Sequence, residues 1–366
     1  MKLEKKKRRL IIGIISGLIV LAALGAWGFS RYYVSLLSPV NPKDNHPVIM
    51  KVNEGSGIGT IGRLLEKKKL IRKAWAFEFY ARWNHLNAYR SGTYIFNRSY
   101  SVGHLMDDLK KGKNRRIIVV IGVRQGMWVT NVAEQIATVT GQPKTKILNQ
   151  LADKNYVKGH YMSRYSFLTN AILAKGVKYP LEGYLAPGSY SFDKVNNPLT
   201  LDQIVDTMLD QTGKELDNLA GPIHRNKLGS VHKVLTLASM IEQEAPNTKD
   251  RKRIAGVLEN RLKRGMRLQT DPSVAYGEQK QVQEYSHHDF RRAYKTYNPY
   301  NTYSRKGLPV GPIGSPALDA IKAVLEPTPS KNFFFYARPN GKVYYSKTYA
   351  EHQKIVSKYQ QEWAKS

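Results

Sequence analysis

Residues 237–277 read LASMIEQEAPNTKDRKRIAGVLENRLKRGMRLQTDPSVAYG. At a helical 100° per residue, residues 233–244 gather Val234, Leu237, Ala238 and Ile241 on one face, with Thr236, Ser239 and Gln243 on the opposite one. Glu242 falls at one edge of the apolar stripe, between Leu235 and Ala238, and Glu244 at the other, near Leu237 and Met240. Pro246 ends this helix, so both acids occupy its last turn. Apolar surroundings and the negative end of the helix dipole disfavour a charged carboxylate there and raise its pKa. Such a carboxyl can hold a proton near neutral pH and donate it. Periodicity does not choose between the two acids, and a structural or solvated glutamate is the bland alternative for each. A second helix is expected over residues 254–262, with Ile254, Val257, Leu258 and Leu262 inward and Gly265 stopping it. Asn260 and Arg261 either line the site or lie on the surface, which is the default. Residues 269–273 (QTDPS) then form a turn dense in hydrogen-bonding groups, in which Asp271 either caps the next short helix or touches substrate.

Outward from this segment lie three further loops, the first two carrying polar and aromatic groups and the third rigid with glycine and proline. They are residues 181–187 (LEGYLAP, with Glu182), 297–303 (YNPYNTY, with Asn301 and Tyr303) and 307–313 (GLPVGPI). Tyrosine rings stack on the CH faces of sugars and amides read hydroxyls, so a groove lined this way suits a glycan. With 23 tyrosines in the chain, no single one decides the matter. His287, His288 and Asp289 are adjacent rather than spaced for a helical metal site, and no HExxH pattern is present. Neither a Gly-x-Ser-x-Gly elbow nor a Walker-type phosphate loop occurs. No metal and no cofactor is expected.

The chain has 366 residues, enough for two or three domains. Its 58 Lys and Arg against 28 Asp and Glu give a formal charge of +30, which favours nucleic acid, anionic lipid or an acidic wall polymer as neighbour. The absence of cysteine excludes disulfides, thiolate metal sites and a Cys nucleophile. Residues 5–9 are an unbroken basic run, and residues 10–29 are free of charge. About 20 apolar residues at a rise of ~1.5 Å each span a bilayer core of ~30 Å. The basic run stays in the cytoplasm, making residues 1–9 a cytoplasmic tail, 10–29 a single transmembrane helix, and everything after Ser30 extracellular. A cleaved signal peptide is the rival, disfavoured by the length of the apolar run. Export weakens the nucleic-acid reading of the charge, which no nucleic-acid-binding motif supports.

Residues 30–47, with three prolines, read as a linker lifting the folded part off the membrane. Beyond it, Val52-Asn53-Glu54-Gly55 precedes a helix, as does Val123-Arg124-Gln125-Gly126. Residues 92–96 (GTYIF) and 188–192 (GSYSF) each precede another. Two patterns recurring in the same order suggest a duplicated strand–helix plan, with the first copy an accessory module. Residues 110–116 (KKGKNRR) read as a solvated connector at the boundary. The expected architecture is α+β: the transmembrane helix, a small α/β module over 48–113 and a larger mixed domain over 114–366. The latter closes with a hairpin around Gly341 and a helix over 349–365.

These blocks together resemble the YceG-like family of endolytic murein transglycosylases. The likeness rests on LASMIEQE (237–244), NRL (260–262), GMRLQTDP (265–272), Tyr276-Gly277, YNTY (300–303) and GLPVGPI (307–313), in that order. The apolar N-terminus and the 48–113 module, which looks like the family's LysM-like subdomain, extend it to nearly the whole chain. The departures are Gln243 in place of Lys, PGSY (187–190) in place of Pro-Asp-Thr-Tyr, and Ala317 where Gly commonly follows the proline. They bear on substrate preference, since none removes the acid. The resemblance implies that the first glutamate of the pair, Glu242, is the catalytic acid/base. It also implies cleavage of MurNAc–GlcNAc bonds in peptidoglycan glycan strands with 1,6-anhydro ring closure, which ends nascent strands. Partners would be cell-wall synthases and division or elongation proteins, with no nucleic acid. Gln269, Asp271, Tyr276, Asn301, Tyr303 and Glu182 are then expected to bind glycan or orient Glu242. A two-carboxylate hydrolase, with Glu182, Glu244 or Asp271 as second acid, is the enzymatic alternative. A non-catalytic wall-binding scaffold is the alternative of another class.

Overall fold

A computed structural model describes residues 2–85, 88–194, 199–245 and 247–362. Pro246 and residues 363–366, on which expectations fell, lie outside the described residues, as do the side chains of residues 2–12, Ile117, Lys194, His287 and His288. The chain divides into two compact units: residues 1–119 with 193–198, and residues 120–192 with 199–366.

The first unit opens with a long helix, α1 (Lys2–Leu37). Its stretch Gly13–Leu37 is long and apolar enough to cross a membrane, by length and composition. The helix continues eight residues past the charge-free run because residues 30–37 hold no breaker and the first proline is Pro39. The expected linker is therefore helical over its first half. Its second half is tied down rather than free: Asn41 N–H donates to Arg98 O at 3.0 Å, and Arg98 pairs with Asp44 at 2.8 Å.

Strand β1 (Val48–Val52) leads through α2 (Ile58–Lys67) and α3 (Ala74–Trp83) to β2 (Gly92–Phe96) and then to α4 (Val102–Lys111). β1 and β2 pair antiparallel, Val48 opposite Phe96 and Val52 opposite Gly92. Alternation along the strands turns Met50, Val52, Tyr94 and Phe96 inward. Helical spacing delivers Ile61 and Leu65 from α2 and Phe77 and Ala81 from α3 to the same core. β3 (Arg115–Val123) begins where the connector was expected, so the KKGKNRR run is shared between the end of α4 and a strand. Arg115 and Arg116 lie in register with Tyr94 and Thr93, and Arg116 forms a two-bond pair with Asp193, both bonds 2.7 Å.

The second unit repeats the order of elements. β3 is followed by α5 (Val129–Thr140), α6 (Lys144–Ala152), the short α7 (Lys154–Val157), β4 (Gly188–Lys194) and α8 (Leu201–Asp217). Gly55 and Gly126, at equivalent turns, share left-handed φ values of 74° and 72°, which side chains disfavour. After α9 (Ala220–Arg225) come α10 (Val231–Glu244), α11 (Thr248–Lys263), α12 (Asp271–Glu278), α13 (His287–Ala293) and α14 (Leu318–Leu325). α10 is packed by α11, α12 and α14. The hairpin β5 (Phe334–Ala337) and β6 (Val343–Ser346) pairs Phe334 with Ser346 around a turn with Gly341 at φ 81°. α15 (Tyr349–Tyr359) lies against this hairpin.

Candidate active site

α10 is capped by Ser230, whose hydroxyl accepts from Lys233 N–H at 3.3 Å. Its expected polar face is open only at Gln243, which is exposed. Thr236 and Ser239 are each 1 % exposed, within the 0–3 % of the apolar residues opposite. The loop after Gly307 covers them, and their hydroxyls find partners without water. Thr236 donates to His232 O at 2.6 Å; Ser239 donates to Thr236 O at 2.8 Å and accepts from Ile313 N–H at 3.0 Å. Short hydroxyls that bond their own helix can be buried at little cost, so sequence polarity misreported this face. The last turn of a buried helix is a rigid mount for the acids it carries.

Glu242 is one of them, its side chain 5 % exposed. One carboxylate oxygen accepts from Ala317 N–H at 2.9 Å, and the other accepts from the Arg251 guanidinium. Arg251 also donates to Asp319 and, at 3.3 Å, to Gln125 Oε1. Asp319 is fixed from its other side by Thr248, 2.6 Å away. Burial pushes the Glu242 carboxyl above its ordinary range; the Ala317 N–H and Arg251 pull the other way, and Asp319 adds to the upward push. The net direction is up, with both protonation states supported by named neighbours.

Glu244 addresses a different neighbourhood, at the start of α12. Burial, and next the negative charge of Asp271, push its carboxyl up to about 8, while Arg261 opposes. Asp271 is not the cap of α12: Thr270 occupies that position and Asp271 is the first helical residue. Its carboxylate instead accepts from the hydroxyls of Tyr303 at 2.6 Å and Tyr294 at 2.9 Å, whose rings stack 3.9 Å apart. Arg261 and Asn260 are not surface residues. Arg261, 6 % exposed, donates to Leu268 O and Phe333 O, both at 2.6 Å, and Asn260 holds Ser330 O and Asn332 O. Both are consumed in fastening the hairpin and the 268 turn to α11.

The remaining expected residues separate by burial. Glu182, 1 % exposed, accepts from Val129 N–H at 3.1 Å and from the Tyr276 hydroxyl at 2.9 Å. Burial lifts its carboxyl to about 8. Tyr276 is fully enclosed, edge-on to Trp128 at 5.3 Å. Asn301, 1 % exposed, donates to Ala293 O, Tyr294 O and Thr296 O and accepts from Tyr303 N–H. These three side chains are therefore internal scaffold rather than open contacts. Gln269 is exposed, in a left-handed turn at φ 50°. The structure brings Asp271 and Tyr303 into contact, links Asn301 to Tyr303 through the backbone, and pairs Glu182 with Tyr276. Arg251, Asp319, Gln125 and the Ala317 N–H were missed. Arg251 sits in a KDRKR run that reads as solvated charge, and the others lie 66 or more positions from it in sequence. The sequence signal available was Ala317, one of the departures noted above. Among the described residues, no cluster of three or more metal-ligating side chains is present.

Residues 50–358 match the YceG-like family. The chain is 33 % identical, over 91 % of its length and 90 % of the relative's, to a Bacillus subtilis protein named endolytic murein transglycosylase. A Streptococcus pneumoniae protein of the same name is 31 % identical over 94 % of this chain, which spans 65 % of that longer relative. A 2.6 Å crystal structure of a YceG-like protein from Listeria monocytogenes superposes with a TM-score of 0.60 at 32 % identity, covering 85 % of this chain and 99 % of that one.

Proposed function

Because the chain belongs to the YceG-like family, we propose that it is a membrane-anchored endolytic lytic transglycosylase that cuts MurNAc–GlcNAc β-1,4 bonds within peptidoglycan strands and so ends nascent glycan chains. The observation that carries this reading is the setting of Glu242, a carboxyl with its side chain 5 % exposed, held between the Ala317 N–H and Arg251. Protonated Glu242 donates to the glycosidic oxygen as the C1–O bond breaks, and the GlcNAc leaves with a 4-hydroxyl. The Glu242 carboxylate then takes the proton from the MurNAc 6-hydroxyl, whose oxygen bonds to C1 and closes the 1,6-anhydro ring. No water is consumed, and Glu242 ends as it began. A residue that is acid and then base needs both forms within reach. Burial favours the acid here, while Ala317 and Arg251 favour the carboxylate.

The environments of Glu182 and Asp271 speak against either as the second carboxylate of a hydrolysis. Glu182 is enclosed with Val129 and Tyr276, and Asp271 already accepts two tyrosine hydroxyls. Tyr303 and Asp271 form a polar-aromatic rim for glycan, exposed Gln269 contacts it directly, and Tyr276, Glu182 and Asn301 position this rim from within. A second reading of the acid rests on Glu244, whose carboxyl stands at about 8 beside Asp271.

The β1–α2–α3–β2 order, two helices between antiparallel strands, supports the first unit as a LysM-like glycan-binding module. The apolar stretch Gly13–Leu37 of α1, preceded by the basic residues 5–9, supports a single-pass anchor with the N-terminus in the cytoplasm and the catalytic unit outside. Digestion of purified peptidoglycan by the full-length protein tests the reaction class. Anhydro-ended fragments are expected. Reducing-end fragments would indicate a hydrolase, and no fragments a wall-binding scaffold.

A further inference from the structure

α1 and α3 of the first unit meet through a run of aromatic rings. Phe29 stacks on Tyr33 at 6.4 Å, Tyr33 lies 6.1 Å from Trp75 and edge-on to Phe79 at 5.5 Å, and Phe79 stacks on Trp83 at 6.2 Å. The Tyr33 hydroxyl donates to Ala76 O at 3.4 Å. Trp75, Phe79 and Trp83 follow one another at intervals of four, so they form one stripe along α3. That stripe is uncovered: the three side chains are 44 %, 54 % and 75 % exposed, while Ala76, Phe77 and Ala81 on the other side are buried. Three large rings facing water in a row are costly unless something covers them.

The contact with α1 says what does. If the charge-free residues 10–29 cross the bilayer core, Tyr33 stands four residues further on, about 6 Å along the helix axis, which is the depth of the headgroup layer. The rings of α3 that touch Tyr33 share that depth, where Trp and Tyr are enriched because one end of each ring is apolar and the other wet. Charge agrees with this placement. Lys67, Lys68, Lys69, Arg72 and Lys73 are all exposed and immediately precede α3. Arg72 also donates to Ser38 O at 3.2 Å and Pro39 O at 3.0 Å, which fixes the start of α3 to the end of α1. Such a basic run at a membrane surface is drawn to anionic headgroups.

We propose that α3 lies along the outer surface of the membrane that α1 crosses, with Trp75, Phe79 and Trp83 in the interfacial layer and residues 67–73 over anionic lipid. The first unit is then seated on the bilayer at a fixed height. This rests on the single-pass anchor proposed above. The chain has no cysteine, so a single introduced one is labelled unambiguously. Leu21, Phe79 and Trp83 are exposed, so Leu21→Cys, Phe79→Cys and Trp83→Cys leave the core untouched. Each full-length variant, carrying an environment-sensitive fluorophore, is placed in phosphatidylglycerol-containing vesicles with nitroxide lipids. The probe at position 21 should be quenched most by nitroxides deep in the acyl chains. Probes at 79 and 83 should be quenched at least about twofold more by headgroup-level than by deep nitroxides, and be shielded from aqueous iodide. If position 21 is quenched by deep nitroxides but 79 and 83 are open to iodide and untouched by lipid quenchers, α3 is not on the membrane although the anchor stands. A position 21 that escapes lipid quenching removes the anchor and this proposal together.

Discussion

The two copies of the strand–turn–helix plan start alike and end differently. Val52-Asn53-Glu54-Gly55 and Val123-Arg124-Gln125-Gly126 close the same left-handed turn before a helix. In the first, Glu54 is exposed and Gly55 faces open space. In the second, Gln125 accepts from Arg251, Gly126 O accepts from Gln243 at 2.7 Å, and Gly126 N–H donates to Ser315 O at 2.8 Å. One turn merely reverses the chain, whereas the other is bonded to the helix that carries both acids and to the loop that supplies the Ala317 N–H. Local sequence sets the shape of a turn, and tertiary partners set its use.

Variants on the site side should cost most. Arg251→Met removes the cation from a pair whose side chains are 10 % and 5 % exposed, leaving Glu242 buried and uncompensated. Breaking such a pair costs about 3–5 kcal/mol, to be read from the unfolding midpoint in urea. The gentler Arg251→Lys keeps the charge and loses the fork; with less support for the carboxylate, Glu242 should titrate higher, and the basic limb of the activity profile should move to higher pH.

The paired glycines come next. Gly126→Ala should lose about 2–3 kcal/mol, from the left-handed backbone and the disturbed Gln243 bond, since its Cβ would meet Gln243 Nε2 at 2.9 Å. Gly55→Ala should lose about 1–2 kcal/mol from the backbone alone. Activity of the folded fraction should fall only for Gly126→Ala. Equal activity in both would dissolve the contrast between the two turns.

The last effect is read as a slope against pH. Glu182 ionises at about 8 in the folded chain against an ordinary 4.5. Between those values the folded state holds a proton that the unfolded chain has released, so stability falls as pH rises from about 4.5 to about 8. Glu182→Gln should flatten part of that fall in thermal unfolding, whereas an unchanged slope would mean that Glu182 stays ionised.

Much of the scaffold was legible in the sequence because it obeys local rules. The apolar spacing of Val129, Val132, Ala133 and Ile136, the turn glycines and the hairpin around Gly341 depend on neighbours a few residues away. The buried far side of α10 was not legible, because Thr236 and Ser239 satisfy themselves within the helix and a loop some 70 residues on covers them. Nor was the helical continuation of α1 through Leu37, where proline count outweighed proline position. The candidate site was half legible. Glu242 and Glu244 stood out by placement, but Arg251 and Asp319 read as ordinary charges until folding joined them. Asn260, Arg261, Tyr276 and Asn301 carry groups suited to sugar that are spent on the protein itself.

The central claim is that Glu242 is the acid/base. It is tested most directly by measuring the release of 1,6-anhydro-ended fragments from peptidoglycan by the full-length protein, beside Glu242→Gln and Glu244→Gln. Glu242→Gln should lose about 10²–10⁴-fold of the rate while Glu244→Gln keeps most of it. Anhydro-ended fragments released by Glu242→Gln at an undiminished rate, with loss in Glu244→Gln instead, would contradict the assignment and transfer the role to the acid beside Asp271.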